Sequence, residues 1–198
     1  MNFLAHIYLS GNNKEIAIGN FISDSVRGNK YKTFPKEIQK GILLHRQIDT
    51  FTDAHEIFRK STKRLHKKYS QYSGVIVDIF YDHFLAKNWE HYSDISLEEY
   101  STSFYKDLND NFDILPKKVQ NLMPYLIKDN WLLSYASIPG IAKVLHGMSR
   151  RTKYNSNMDL ATTDLVNYYS EFENEFRLFF KELIEFSKAK LKELNQAV

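Results

Sequence analysis

Apolar residues in this chain recur at spacings of three and four along its length, and no stretch sustains the period-two alternation of a half-buried strand. Glycine and proline, which punctuate short strands and tight turns, number only 7 and 4 in 198 positions. A chain patterned this way buries its apolar surface by packing helix on helix. The spacing therefore predicts an all-α fold, a multi-helix bundle, and the length predicts a single domain over 1–198. Helices are expected near 2–9, 14–26, 35–52, 56–68, 72–88, 97–112, 116–128 and 139–151, and over 163–194, a span long enough to be broken once. Pro35 suits the first turn of its helix.

Composition narrows the function classes. Apolar residues make up 43% and charged residues 26%, the balance of a folded globular chain and not a disordered one. Aromatic residues reach 15%, so rings should dominate the core. The absence of cysteine excludes disulfides, thiolate metal sites and cysteine nucleophiles, and fits a cytosolic home. No apolar run approaches the roughly 18 residues of a membrane span. The first residues also lack a signal-peptide pattern, so neither secretion nor a membrane partner is expected. A formal charge of +3 is too small to imply nucleic acid, and no such partner is expected.

Chemistry concentrates in two runs. His45 and Asp49, and Asp78 and Asp82, are each spaced i, i+4, so each pair shares a helix face. Gly41-Ile-Leu-Leu44 leads into the first, and Val75-Ile-Val77 and Phe84-Leu85 flank the second. Carboxylates and imidazoles are costly to bury unless paired or bound to metal. The first pair reads either as a satisfied buried ion pair or as ligands. Asp78 and Asp82 repel one another and call for a positive group opposite, either a basic side chain or a divalent cation. Asp24, placed against a helix C-terminus, opposes the helix dipole. His6 reads equally as a core histidine. If Asp24, His45, Asp49, Asp78 and Asp82 converge, the oxygen-rich set suits Mn²⁺, Mg²⁺ or Fe²⁺ better than structural zinc. Hydrolysis at phosphorus is the chemistry such a set favours. No P-loop, Rossmann fingerprint, Gly-x-Ser-x-Gly or HExxH motif competes.

A basic run, Arg59-Lys60-Ser-Thr-Lys63-Arg64-Leu-His-Lys67-Lys68, and a second at Arg150-Arg151 read either as solvated helix faces or as a docking surface for an acidic partner.

Aligned in order, several segments resemble the bacterial acyl carrier protein phosphodiesterase (ACP hydrolyase) family. They are Met1-Asn-Phe-Leu-Ala-His6, Gly19-Asn-Phe-Ile-Ser-Asp24, Val26-Arg-Gly-Asn29, Gly41 with His45-Arg-Gln-Ile-Asp49-Thr-Phe-Thr-Asp53, Asp78 through Asp82-His-Phe-Leu85 with Trp89, and Val144-Leu-His-Gly-Met-Ser-Arg-Arg151. The resemblance implies a divergent relative of the HD-type phosphohydrolases, although Arg46 follows His45 and no adjacent His-Asp dyad stands there. It also implies hydrolysis of the phosphodiester joining 4′-phosphopantetheine to a serine of the carrier protein, with Mn²⁺ as the metal. On that basis Asp24, His45, Asp49, Asp78 and Asp82 hold metal, and His83 or His6 protonates the leaving serine oxygen. Arg27, Arg46 or Arg150 would meet the phosphate oxygens, and the run from Arg59 to Lys68 would dock the acidic carrier. Two other readings stay open: an HD-like nucleotide phosphohydrolase, and a non-catalytic helical binding module. A di-iron protein is disfavoured because its paired Glu-x-x-His motifs are missing.

Overall fold

Helix ends follow local capping chemistry. The computed structural model describes residues 1–152 and 155–196. The helices are α1 (Phe3–Tyr8), α2 (Lys14–Ile22), α3 (Lys36–Ala54), α4 (Glu56–Tyr69), α5 (Ser73–Lys87), α6 (Leu97–Asp110), α7 (Lys117–Lys128), α8 (Trp131–Ser134), α9 (Ile138–Ser149), α10 (Ala161–Asn167) and α11 (Tyr169–Gln196). No strand occurs among the described residues. The fold is all-α, as the periodicity predicts. Asn13 accepts the N–H groups of Glu15 and Ile16 at the start of α2, Ser96 accepts that of Glu99 in α6, and Ser137 accepts that of Gly140 in α9. Pro35 and Pro116, which lack the N–H that a first turn leaves unpaired, stand before α3 and α7.

Rings do not dominate the core as the composition suggests: most buried apolar side chains are aliphatic, and the rings concentrate where α5 meets α11. Phe80, Tyr81 and Phe84 of α5 and Phe172, Phe176, Phe179 and Phe180 of α11 are fully buried. Each such side chain contributes about 1.5–3 kcal/mol by leaving water. Some meet edge-on, as in Phe80–Phe172 at 5.2 Å and Tyr81–Phe176 at 5.7 Å between centroids, while Phe84–Phe176 and Phe176–Phe180 stack. The helix expected over 163–194 is two helices, α10 and α11, with Tyr168 between them outside the helical region. The four-residue α8 was not foreseen. Asn130 takes the left-handed conformation before it (φ 39°) and caps it through Leu133 N–H. No helix of the described residues is long and apolar enough to cross a membrane.

What positions the site is the crossing of α2 and α3. Gly19 and Gly41 face one another there: a Cβ on Gly19 would lie 2.1 Å from the Ile38 carbonyl oxygen, and one on Gly41 2.1 Å from that of Ile16. Two backbones this close leave no room for alanine, and the approach sets Asn20 beside His45.

Candidate metal centre

Asn20 is completely buried, so every polar atom of its amide needs a partner. Its Nδ2 donates to the His6 carbonyl (2.8 Å) and to Ser10 Oγ (3.0 Å). Its Oδ1 is left to accept from His45 Nδ1–H at 3.1 Å. This fixes the His45 ring and turns Nε2 toward two carboxylates, Asp49 Oδ2 at 3.1 Å and Asp24 Oδ1 at 3.3 Å. His6, from α1, stacks on His45 with centroids 3.9 Å apart and planes 18° from parallel. Its Nε2 lies 3.3 Å from Asp49 Oδ1 and 3.1 Å from the Met1 carbonyl oxygen. Both imidazoles are buried, whereas Asp24, on the 3₁₀ turn that ends α2, reaches solvent.

The charges are strongly coupled. Burial alone would lower the His45 pKa, but the bonds to Asp24 and Asp49 outweigh it and raise it to about 9. Burial and the neighbouring His45 push His6 down to about 4. Asp49, although burial opposes ionisation, is held well below the usual carboxylate range by His45 and His6. The bond from His45 keeps Asp24 low as well.

The donor set fits a divalent cation. Ligand atoms of His6, His45 and Asp49 lie within 4.8 Å of one another, and Asp24 approaches the same His45 nitrogen. His6 Nδ1 is buried and has no hydrogen-bond partner among the described residues. A histidine whose far nitrogen is bound by a buried amide is the outer-sphere arrangement that orients metal ligands. The group could therefore hold a metal ion.

Asp78 and Asp82 have other partners. Asp78 pairs with the Met1 ammonium at 2.8 Å. Asp82, fully buried, accepts the N–H groups of Leu4 (2.7 Å) and Ala5 (3.3 Å), two first-turn donors of α1 with no intrahelical acceptor. Burial nonetheless raises its pKa to about 7. The positive group demanded opposite these carboxylates is thus the chain's own ammonium together with a helix N-terminus. Both residues anchor the short helix that carries His6. His83 is not brought to the cluster: its Nδ1 meets the Tyr135 carbonyl at 2.7 Å and its Nε2 the Tyr169 hydroxyl at 2.9 Å. Arg46 donates to the carbonyls of Val26 (3.1 Å) and Gly28 (2.8 Å), fastening the turn after Asp24, while Arg27 in that turn is exposed.

On α4, Lys60 and Arg64 are tied to Glu175, Lys68 to Asp164, and Arg59 to the Asp53 carbonyl, leaving Lys63 and Lys67 exposed. Arg150 and Arg151 follow α9 on the surface, the latter over the Trp131 ring. Asn20 escaped sequence reasoning, though an amide inside Ile16-Ala-Ile-Gly-Asn-Phe-Ile22 is the kind of polar exception that signals a buried partner. Beside the cluster lies a cleft of about 1220 Å³, bounded by α7, α8 and α9 and by the first residues of α1 and α5, with Asp24 on its wall.

Comparison with known proteins identifies the family. The family model described as acyl carrier protein phosphodiesterase matches residues 1–183. A Pectobacterium atrosepticum protein named acyl carrier protein phosphodiesterase is 31% identical over 189 residues, 95% of this chain and 98% of that protein. Proteins of the same name from Photorhabdus laumondii (31% over 186 residues, 93% of this chain and 94% of that protein) and Escherichia coli O6:H1 (33% over 194 residues, 93% and 96%) are similar. No solved structure matches the chain. With the motifs of both histidine-bearing helices inside the matched span, the chain belongs to the acyl carrier protein phosphodiesterase family.

Proposed function

We propose that this protein hydrolyses the phosphodiester between 4′-phosphopantetheine and a serine of acyl carrier protein, giving the apo carrier and free 4′-phosphopantetheine. The observation that carries the reading is the convergence of His6, His45, Asp49 and Asp24 at the edge of a cleft, in a chain of this family. These four residues would hold the divalent cation, with Mn²⁺ matching their mixed nitrogen and oxygen donors. When bound, the ion supplies Lewis-acid charge for the phosphoryl oxygens and lowers the pKa of coordinated water.

The chain's own residues do the rest. Asn20 fixes the ring of His45 and thus the direction of its Nε2 lone pair. Asp78 and Asp82 act as positioning residues by holding α1 and His6 in place. In the reaction a water oxygen bonds to phosphorus as the bond to the serine oxygen breaks. The water gives up a proton and the serine oxygen gains one. With His83 engaged by Tyr135 and Tyr169, that second proton comes from solvent on the open Asp24 side. Arg27, exposed three residues after Asp24, would meet the non-bridging phosphate oxygens, while Arg46 holds its loop. The carrier's acidic face would meet Lys63 and Lys67 of α4 and Arg150 and Arg151 beyond α9, exposed cations with no carboxylate partner among the described residues.

The test is to incubate the protein with holo carrier and Mn²⁺, with a chelated control, and weigh the carrier intact. Loss of the phosphopantetheine mass only with metal is expected. An unchanged carrier with metal in excess would overturn the reading.

A further inference from the structure

The reaction itself needs only a scissile phosphate and water, yet the molecule presents a large cleft beside the cluster. At about 1220 Å³ it exceeds the roughly 300–1,000 Å³ usual for small-ligand sites. Its walls are mostly apolar: Phe3 and Val75 on one side, Trp131, Tyr135, Val144 and Met148 on the other. Set among them are three cations, Lys118, Lys143 and Arg151, which have no carboxylate partner among the described residues. Asp24 belongs both to this wall and to the His45 contact, so the cleft and the metal cluster are continuous.

We infer that this cleft is the subsite for the 4′-phosphopantetheine arm, and that α9 supplies its specificity through Lys143, Val144 and Gly147, with Arg151 just beyond its end. The assignment rests on the phosphodiesterase reading above. The occupant follows from the cleft's chemistry. Three exposed cations against two carboxylates, Asp24 and Asp129, favour a ligand that carries negative charge, and the apolar walls favour an extended, largely apolar chain. The arm carries a phosphate at one end and a gem-dimethyl group, two amides and a thiol beyond it. Such a ligand places its phosphate at the Asp24 end and its carbon chain between α8 and α9. Gly147 keeps the channel open: an added Cβ there meets nothing within 4 Å, so a larger side chain would enter the cleft without colliding with the fold.

Trp131 reports occupancy, because it is half-exposed in this wall while the only other tryptophan, Trp89, is buried with its indole N–H on the Ile95 carbonyl. The experiment titrates the full-length protein with 4′-phosphopantetheine and follows tryptophan emission. A saturable change is expected in the wild type, absent in Trp131→Phe. In Gly147→Leu and Lys143→Glu the affinity should be weaker by roughly tenfold or more, with the thermal midpoints unchanged. No saturable change, or equal affinity in wild type and Gly147→Leu, would overturn the assignment.

Hydrolysis of holo carrier, measured in parallel, separates the two claims. If both proteins hydrolyse it with equal KM, the reaction stands and the subsite falls. If 4′-phosphopantetheine binds as described but holo carrier stays intact, the subsite stands and the reaction falls.

Discussion

A single amide decides the geometry of the centre. Asn20 spends both Nδ2 hydrogens on His6 and Ser10, so its oxygen can only orient His45. Asn20→Ala should weaken Mn²⁺ binding by roughly 10- to 100-fold, the usual cost of losing an outer-sphere partner, measured by calorimetric titration. Unchanged affinity would show that the ring is held otherwise. The imidazole also sets a pH dependence. His45 titrates at about 9 in the folded, metal-free protein against 6.5 for the free side chain, so the native state binds the extra proton between those values. That stability is fully present below 6.5 and is lost as pH rises through about 9. Metal-free protein should therefore lose thermal stability across this window, and His45→Gln should lack that loss. Mn²⁺ competes with the same proton, so its affinity should climb over the same range.

At the level of elements, the crossing of α2 and α3 carries the site. Gly41→Ala would drive a methyl group against the Ile16 carbonyl, a backbone atom unable to swing aside. It should cost about 3 kcal/mol by chemical denaturation and reduce Mn²⁺ binding with it; a loss within experimental error would contradict the close approach. Periodicity made most elements legible in sequence, and Pro35 marked the start of α3 because its effect is local. The length of the last segment signalled a break, but its place at Tyr168 and the short α8 depend on tertiary packing and left no comparable signal. For the site, His45, Asp49 and Asp24 were legible as ionisable residues on apolar helices. The partners of Asp78 and Asp82 were not, since a terminal ammonium and two α1 N–H groups are 77 or more residues away in sequence. His6 was weighed as a proton donor, and only the fold shows it stacked on His45.

For the molecule as a whole, the distribution of charge matters more than its sum. Glu175 and Asp164 engage Lys60, Arg64 and Lys68 of α4, and Lys63 and Lys67 stay exposed with no carboxylate partner among the described residues. Reversing both to glutamate should raise KM for the carrier protein by roughly tenfold while sparing kcat, an effect that fades as salt screens the surface. Kinetics indifferent to the reversal would move the docking face toward α9 alone.

The centre itself is tested most directly by diffraction from crystals grown with Mn²⁺, using anomalous scattering at the manganese edge. A centre built on His6, His45, Asp49 and Asp24 gives a peak among these residues, with His45 bound through Nε2. A peak between Asp78 and Asp82, displacing the Met1 ammonium, would contradict it.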